Sequence, residues 1–186
     1  GRRITIGGMA KGSGMIHPSM ATMLSYITCD VGVDHIFWSD MIKRVAQSSF
    51  NAITVDGDTS TNDTFLAFSS GPKLDSRYLS TLEEGLHLTA QYLAKAIARD
   101  GEGANCLLEI KVEGAQSDLD AHAIARTIAS SSLVKTAVHG SDPNWGRIIA
   151  ALGRAGRLFN LNDVKLWIGP YELFSNGMPK NFDRTK

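Results

Sequence analysis

The chain has 186 residues, with 19 basic and 19 acidic side chains and a formal net charge of zero. That length suits one domain with a real core, and the balanced charge argues against a nucleic-acid or anionic-membrane surface as the main partner. No apolar run approaches the ~20 residues of a membrane helix, no secretory leader stands at Gly1, and the two cysteines, Cys29 and Cys106, read as free, semi-buried thiols of a reducing, cytoplasmic-type compartment.

Ile4 and Ile6 predict a short strand, followed by a glycine-rich loop from Gly7 to Gly14. Tyr26, Ile27 and Thr28 mark a strand from Met23 to Val31. Asp34 is placed to cap a helix reaching about Phe50, with Ile36, Phe37, Met41, Ile42 and Val45 on its inner face. Short strands are expected at Ala52–Val55 and Thr64–Phe68. Ser80-Thr81-Leu82-Glu83 has the capping-box form ahead of a helix carrying Leu82, Leu86, Leu93 and Ile97, which Asp100-Gly101 ends.

Leu108, Ile110 and Val112 alternate with Glu109 and Lys111, as in a half-buried strand. Ser117 caps a helix through Leu119, Ala123, Ile124 and Ile128, and Leu133–Val138 reads as a strand. Pro143 suits the first position of a helix to about Leu152, and Val164–Ile168 gives one more strand. Helices and strands alternate without the steady rhythm of a doubly wound sheet. The expected class is therefore α+β, a layered mixed sheet with packed helices.

The segment Lys11-Gly12-Ser13-Gly14-Met15-Ile16-His17-Pro18-Ser19-Met20-Ala21-Thr22-Met23-Leu24 carries the chemistry. A glycine-loosened loop and a proline lead to a small residue and then to Thr22, which opens a strand. This layout suits a threonine that cuts the bond before itself. A Thr hydroxyl is a weak nucleophile at neutral pH and needs an adjacent base. The α-amino group that cleavage would free on the same residue, with a reference pKa of about 7.7–8, can be that base.

The same segment closely resembles the autocleavage segment of the ornithine acetyltransferases, the glutamate N-acetyltransferases of arginine biosynthesis. Residues Val55 to Thr64 (VDGDTSTNDT), Asp100 to Ala104 (DGEGA) and Gly140 to Arg147 (GSDPNWGR) resemble the same family, in the same order, across most of the chain. The resemblance implies the fold shared with self-cleaving aminopeptidases. It also implies cleavage between Ala21 and Thr22, so that residues 1–21 end an upstream alpha segment and residues 22–186 form most of a beta segment. The ends, Gly1 inside a strand-like run and Lys186 in a polar stretch, read as those of an internal piece of a larger protein.

By the same resemblance, Thr22 is the nucleophile and Lys11 and Glu102 bind substrate. Glu102 stands between Gly101 and Gly103 as in the family, although Asn105-Cys106 occupies a place where members more often have Thr-Lys. The implied reaction moves acetyl from N-acetylornithine to glutamate through acetyl-Thr22, with acetyl-CoA a further donor in some members. No metal or organic cofactor is implied. The implied partner is the alpha fragment of the same precursor, in a hetero-oligomer of alpha and beta chains, without nucleic acid or membrane. The implied location is the cytoplasm, or the mitochondrial or plastid matrix in a eukaryote. The family's oxyanion-hole pair maps before Gly1 and its C-terminal substrate contacts beyond Lys186, which makes this piece alone incomplete.

Two other enzyme-site patterns fail on their residues. The Asp56–Thr64 loop starts like a calcium loop but has Thr61 where the sixth-position glycine belongs and Ala67 in place of the twelfth-position glutamate. Gly7 to Ser13 lacks the lysine of a phosphate loop. The five histidines show no ligand spacing, and Asp142 to Arg147 reads as a structural helix start. An amide hydrolase or aminopeptidase of the related self-cleaving fold, and a non-catalytic interaction module, are the competing readings.

Overall fold

The computed structural model describes residues 3–20 and 22–182. Contacts gather in two compact units, Gly1–Leu107 and Leu108–Lys186, each around a core of its own, where the length had suggested one domain.

In the first unit, strands β1 (Ile6–Lys11), β2 (Leu24–Cys29) and β3 (Thr64–Ser69) form a mixed sheet in the order β1-β2-β3. β1 runs antiparallel to β2, from Ile6 opposite Cys29 to Lys11 opposite Leu24, and β2 runs parallel to β3. Helices α1 (His35–Gln47) and α2 (Leu79–Arg99) pack with the sheet. Ile27, Met41, Val45, Phe50, Leu82, Leu86 and Ile97 are buried in the resulting core. Burial of such side chains stabilises a fold by roughly 1.5–3 kcal/mol each before the entropy of ordering is subtracted.

Several expectations shift in this unit. Gly7 and Gly8 belong to β1, so the loop begins later than the glycines suggested. A Cβ at Gly8 would lie 3.0 Å from Leu93 Cδ1 of α2, so a side chain there would press on the helix. Asp34 caps α1 as expected, its carboxylate accepting from the Ile36 N–H at 3.0 Å. The inner stripe of α1 is Trp38, Met41, Ile42 and Val45, spaced i, i+3, i+4, i+7. Ile36 and Phe37 fall outside that stripe and remain 70% and 58% exposed.

The expected strand at 52–55 is absent: Phe50–Ala52 is a 3-10 turn closed by the Ile53 N–H on the Phe50 carbonyl at 3.3 Å, and Val55 N–H donates to the Ile16 carbonyl at 2.7 Å. Pro18 has no N–H with which to extend that pairing. The capping box at Ser80 is also unused. Asp75 caps a 3-10 turn at Ser76–Tyr78 that runs straight into α2, one residue before Ser80. Cys29 is buried and Cys106 exposed, both free.

The second unit packs α3 (Asp118–Ala129), α4 (Ser132–His139) and α5 (Trp145–Gly153) around Ile124, Ile128, Val134, Ala151 and Leu152. The predicted strand at 133–138 is helix α4. Ser131 caps it, accepting from the Val134 N–H at 3.4 Å, and Val134, Ala137 and Val138 form one inward face at helical spacing. Of the predicted alternation at 108–112, Ile110 and Val112 pack against the core, but Leu108 is exposed and no strand among the described residues pairs with this stretch.

α5 begins at Trp145 rather than at Pro143, and Asn144 caps it, its side chain accepting from the Arg147 N–H at 3.2 Å. Strands β4 (Leu166–Ile168), β5 (Tyr171–Ser175) and β6 (Met178–Pro179) form an antiparallel sheet, of which the sequence suggested only β4. Trp145 stacks on Phe174 at 5.5 Å, tying α5 to β5. Helices packed with small mixed and antiparallel sheets give the expected α+β class.

Candidate active site

Thr22 stands two residues before the start of β2, where the chain returns from the loop that follows β1. It lines a cavity of about 540 Å³ together with Lys11, Gly12, Ser13 and Gly14 from the end of β1 and its loop, and with Leu93, Ala96, Ile97 and Asp100 from the C-terminal part of α2. The two predicted residues Thr22 and Lys11 thus share one cavity. Ala21, the residue before the predicted scissile bond, lies outside the described residues.

Glu102 is not part of that lining, but it is placed at its edge. A Cβ on Gly14 would stand 2.7 Å from Glu102 Oε2, so only a glycine lets the carboxylate rest there. The Glu102 N–H donates to the Ser13 carbonyl at 2.9 Å, fastening the turn after α2 to the loop after β1.

The loop between Asp56 and Thr64 holds the segment leading to Thr22. Asp56 accepts from the Met15 N–H at 2.6 Å and the Ile16 N–H at 3.2 Å. Thr59 Oγ1 donates to the His17 carbonyl at 2.9 Å. Burial pushes the Asp56 carboxyl up, but the N–H groups of Asp58, Met15 and Ile16 outweigh it and hold the group below the usual carboxylate range.

At the end of the same loop, the Thr22 hydroxyl donates to Ser60 Oγ, and Asp63 Oδ1 accepts from the N–H of Thr22 and, at 2.9 Å, from that of Met23. Ser60 and Asp63 are buried, at 3% and 8% exposure. Met15 and Met20, on either side of Pro18, have φ of 56° and 55°. A non-glycine residue in this left-handed region costs roughly 1–2 kcal/mol. Two methionines thus carry backbone strain in this segment, one of them directly before Ala21.

Ser60, Asp63 and Asp100 are the site residues that the sequence reading missed as individuals. The cavity offers a lysine on one element, and on another a carboxylate at the partially negative C-terminal end of a helix. That combination suits a small molecule bearing both charges. Among the described residues, no three His, Cys, Asp or Glu side chains gather as metal ligands, and no helix is long and apolar enough to cross a membrane. The Asp142 to Arg147 motif is accounted for within the second unit: beyond the α5 cap, Arg147 Nη1 donates to the Leu133 carbonyl and to Thr136 Oγ1, both at 2.9 Å.

Comparison with known proteins places the chain in a family. The chain matches the sequence model of the ArgJ family over residues 1–186. It is 89% identical over 184 residues to the arginine biosynthesis bifunctional protein ArgJ of Prochlorococcus marinus (strain NATL2A), covering 99% of this chain and 44% of that protein. With the protein of the same description from Parasynechococcus marenigrum (strain WH8102) it shares 62% identity over 98% of this chain and 45% of that one. The chain therefore spans less than half the length of these curated relatives. The crystal structure of arginine biosynthesis bifunctional protein argJ from Bacillus halodurans superposes with a TM-score of 0.81 at 39% identity, over 85% of this chain and 76% of that one. With the α+β fold shared and the family's sequence pattern matched from end to end, the chain belongs to the ArgJ family.

Proposed function

We propose that this chain forms part of a glutamate N-acetyltransferase that cuts itself between Ala21 and Thr22 and then carries acetyl on Thr22. The observation that carries the reading is the placement of Thr22, whose hydroxyl donates to Ser60 and which lines one cavity together with Lys11. Cleavage leaves residues 1–21 on the upstream alpha chain and starts the beta chain at Thr22.

In the mature enzyme the Thr22 hydroxyl attacks the acetyl carbonyl of N-acetylornithine, and the α-amino group of the same residue takes the hydroxyl proton. Ornithine leaves, and the amine of glutamate then takes the acetyl group from the ester. Lys11 holds a substrate carboxylate and Glu102 a substrate amino group. The partners are these small molecules, with acetyl-CoA a further donor in some relatives, and the alpha fragment in a hetero-oligomer of alpha and beta chains. The setting is the cytoplasm.

Two measurements on the full-length protein test the reading. A denaturing gel should show two fragments with Thr22 as a new N-terminus, and Thr22→Ala should stay in one piece. A fully cleaved Thr22→Ala protein would sink the mechanism. Ornithine release from N-acetylornithine should rise steeply with added glutamate, with an equal yield of acetylglutamate and parallel double-reciprocal lines. Release that ignores glutamate and yields free acetate would instead identify a hydrolase of the related self-cleaving kind.

A further inference from the structure

We propose that Asp63 drives the self-cleavage, by holding the Thr22 nitrogen in the precursor and pairing with the ammonium group that the acyl shift creates there. This rests on the reading of Thr22 given above and extends it to a residue that no comparison assigns.

The geometry is that of a carboxylate already in place at the reacting nitrogen. Asp63 Oδ1 accepts from the N–H groups of Thr22 and Met23. Its other oxygen, Oδ2, is buried and has no hydrogen-bond partner among the described residues. An unsatisfied buried acceptor is an unfavourable arrangement that a new donor relieves.

The N-to-O acyl shift supplies that donor. Thr22 Oγ1 bonds to the Ala21 carbonyl carbon, and the bond from that carbon to the Thr22 nitrogen breaks. The hydroxyl proton, given up toward Ser60 Oγ, is made good at the nitrogen, so the amide N–H becomes an amine. A further proton from water makes it ammonium. Water then adds OH to the Ala21 carbonyl carbon and H to Thr22 Oγ1, freeing the Ala21 carboxylate and restoring the hydroxyl.

In the amide the nitrogen has one hydrogen, already given to Oδ1. After the shift it has two or three, together with a positive charge, and a buried carboxylate stabilises both changes. An ester is less stable than the amide it replaces, so the pairing acts on the step where the equilibrium is unfavourable. Stabilisation confined to the shifted state is what speeds the reaction.

The other charged groups near the cavity are Lys11 of β1 and Asp100 at the end of α2, with Glu102 and Asp56 against Gly14. They are the same in wild type and variant, so a ratio of rates isolates Asp63. In Asp63→Asn the released amine loses its carboxylate and gives up its proton near or below the ordinary α-amino range of about 7.7–8.

Cleavage of freshly made full-length precursor should be timed by gel from pH 6 to pH 9. The ratio of wild-type to Asp63→Asn rates should be about tenfold or more at pH 6, where the released amine is protonated, and fall toward pH 9 as the pairing with the ammonium is lost, a change of about one pKa unit in the amine corresponding to that factor. Equal rates, or a ratio constant with pH as a merely structural defect would give, overturns the proposal. If the variant does not fold, competitive acylation of the wild-type mature enzyme decides. The Thr22 amine should titrate clearly above the ordinary range, and titration at or below it overturns the pairing. An uncut wild-type protein would defeat the reading of Thr22 itself, whereas a cut wild type with an indifferent Asp63 defeats this proposal alone.

Discussion

Gly14 has no side chain where Glu102 lies: a Cβ there would meet Oε2 at 2.7 Å. Gly14→Ala should therefore push the carboxylate away from its place and act on substrate use much as a substitution of Glu102 itself. Lys11→Ala and Glu102→Ala in the full-length protein would each remove a proposed charged contact to substrate. Such losses typically cost about 2–5 kcal/mol, so kcat/KM should fall on the order of thirtyfold or more. Unchanged steady-state kinetics in both variants would put the substrate elsewhere. Thr22, Lys11 and Glu102 were legible as candidates because each sits in a short local motif. Ser60 and Asp63 were not, since an Asp, Ser and Thr-rich loop reads locally as self-capping turns. Their contacts to Thr22 depend on how that loop folds back onto a segment about forty residues earlier.

Between α1 and α2 the main polar link is Arg44 with Glu83, at 2.6 Å from Nε to Oε1 and 2.9 Å from Nη2 to Oε2. The Arg44 hydrogen bond holds the Glu83 carboxyl below its ordinary value. A depressed carboxyl contributes stability that is present above its unfolded pKa of about 4.3 and is lost as pH falls through the folded value. Arg44 is largely exposed, so the pair should be worth about 0.2–1 kcal/mol. Glu83→Gln should lower the unfolding free energy from urea titration at pH 7 by that small amount, and the difference should vanish near pH 3. A difference that persists at pH 3 would mean packing, not charge, carries the effect. The same residue shows why the capping box misled: its carboxylate is taken up by Arg44. Caps that do form, at Asp34, Ser117 and Ser131, were legible at the first two positions, because there a helical apolar pattern follows directly. Val134 and Val138 made α4 look like a strand, but β-branched residues tolerate a helix when their spacing buries them on one face.

Across the whole molecule, the proposed cut falls inside the first compact unit, so processing and packing divide the chain at different places. The upstream piece contributes β1, whose register with β2 runs the full length of both strands. It also contributes Ile16, fully buried in the core, and the Met15–His17 segment tied to Asp56, Thr54 and Thr59. Ladder, core side chain and clamp all persist when one peptide bond is broken, because none of them runs through that bond. The two chains should therefore migrate as one species in native gel filtration and separate only in denaturant. Ile16→Ala should weaken the association: truncating a buried isoleucine costs about 2–5 kcal/mol through lost transfer energy and the cavity left behind. In the cleaved protein that cost falls on the contact between the chains, so the variant should release its upstream piece at a lower denaturant concentration than the wild type. Release of the wild-type piece under native conditions, or an Ile16→Ala protein that holds it equally well, would show that the core around Ile16 is not what keeps the cut chains together.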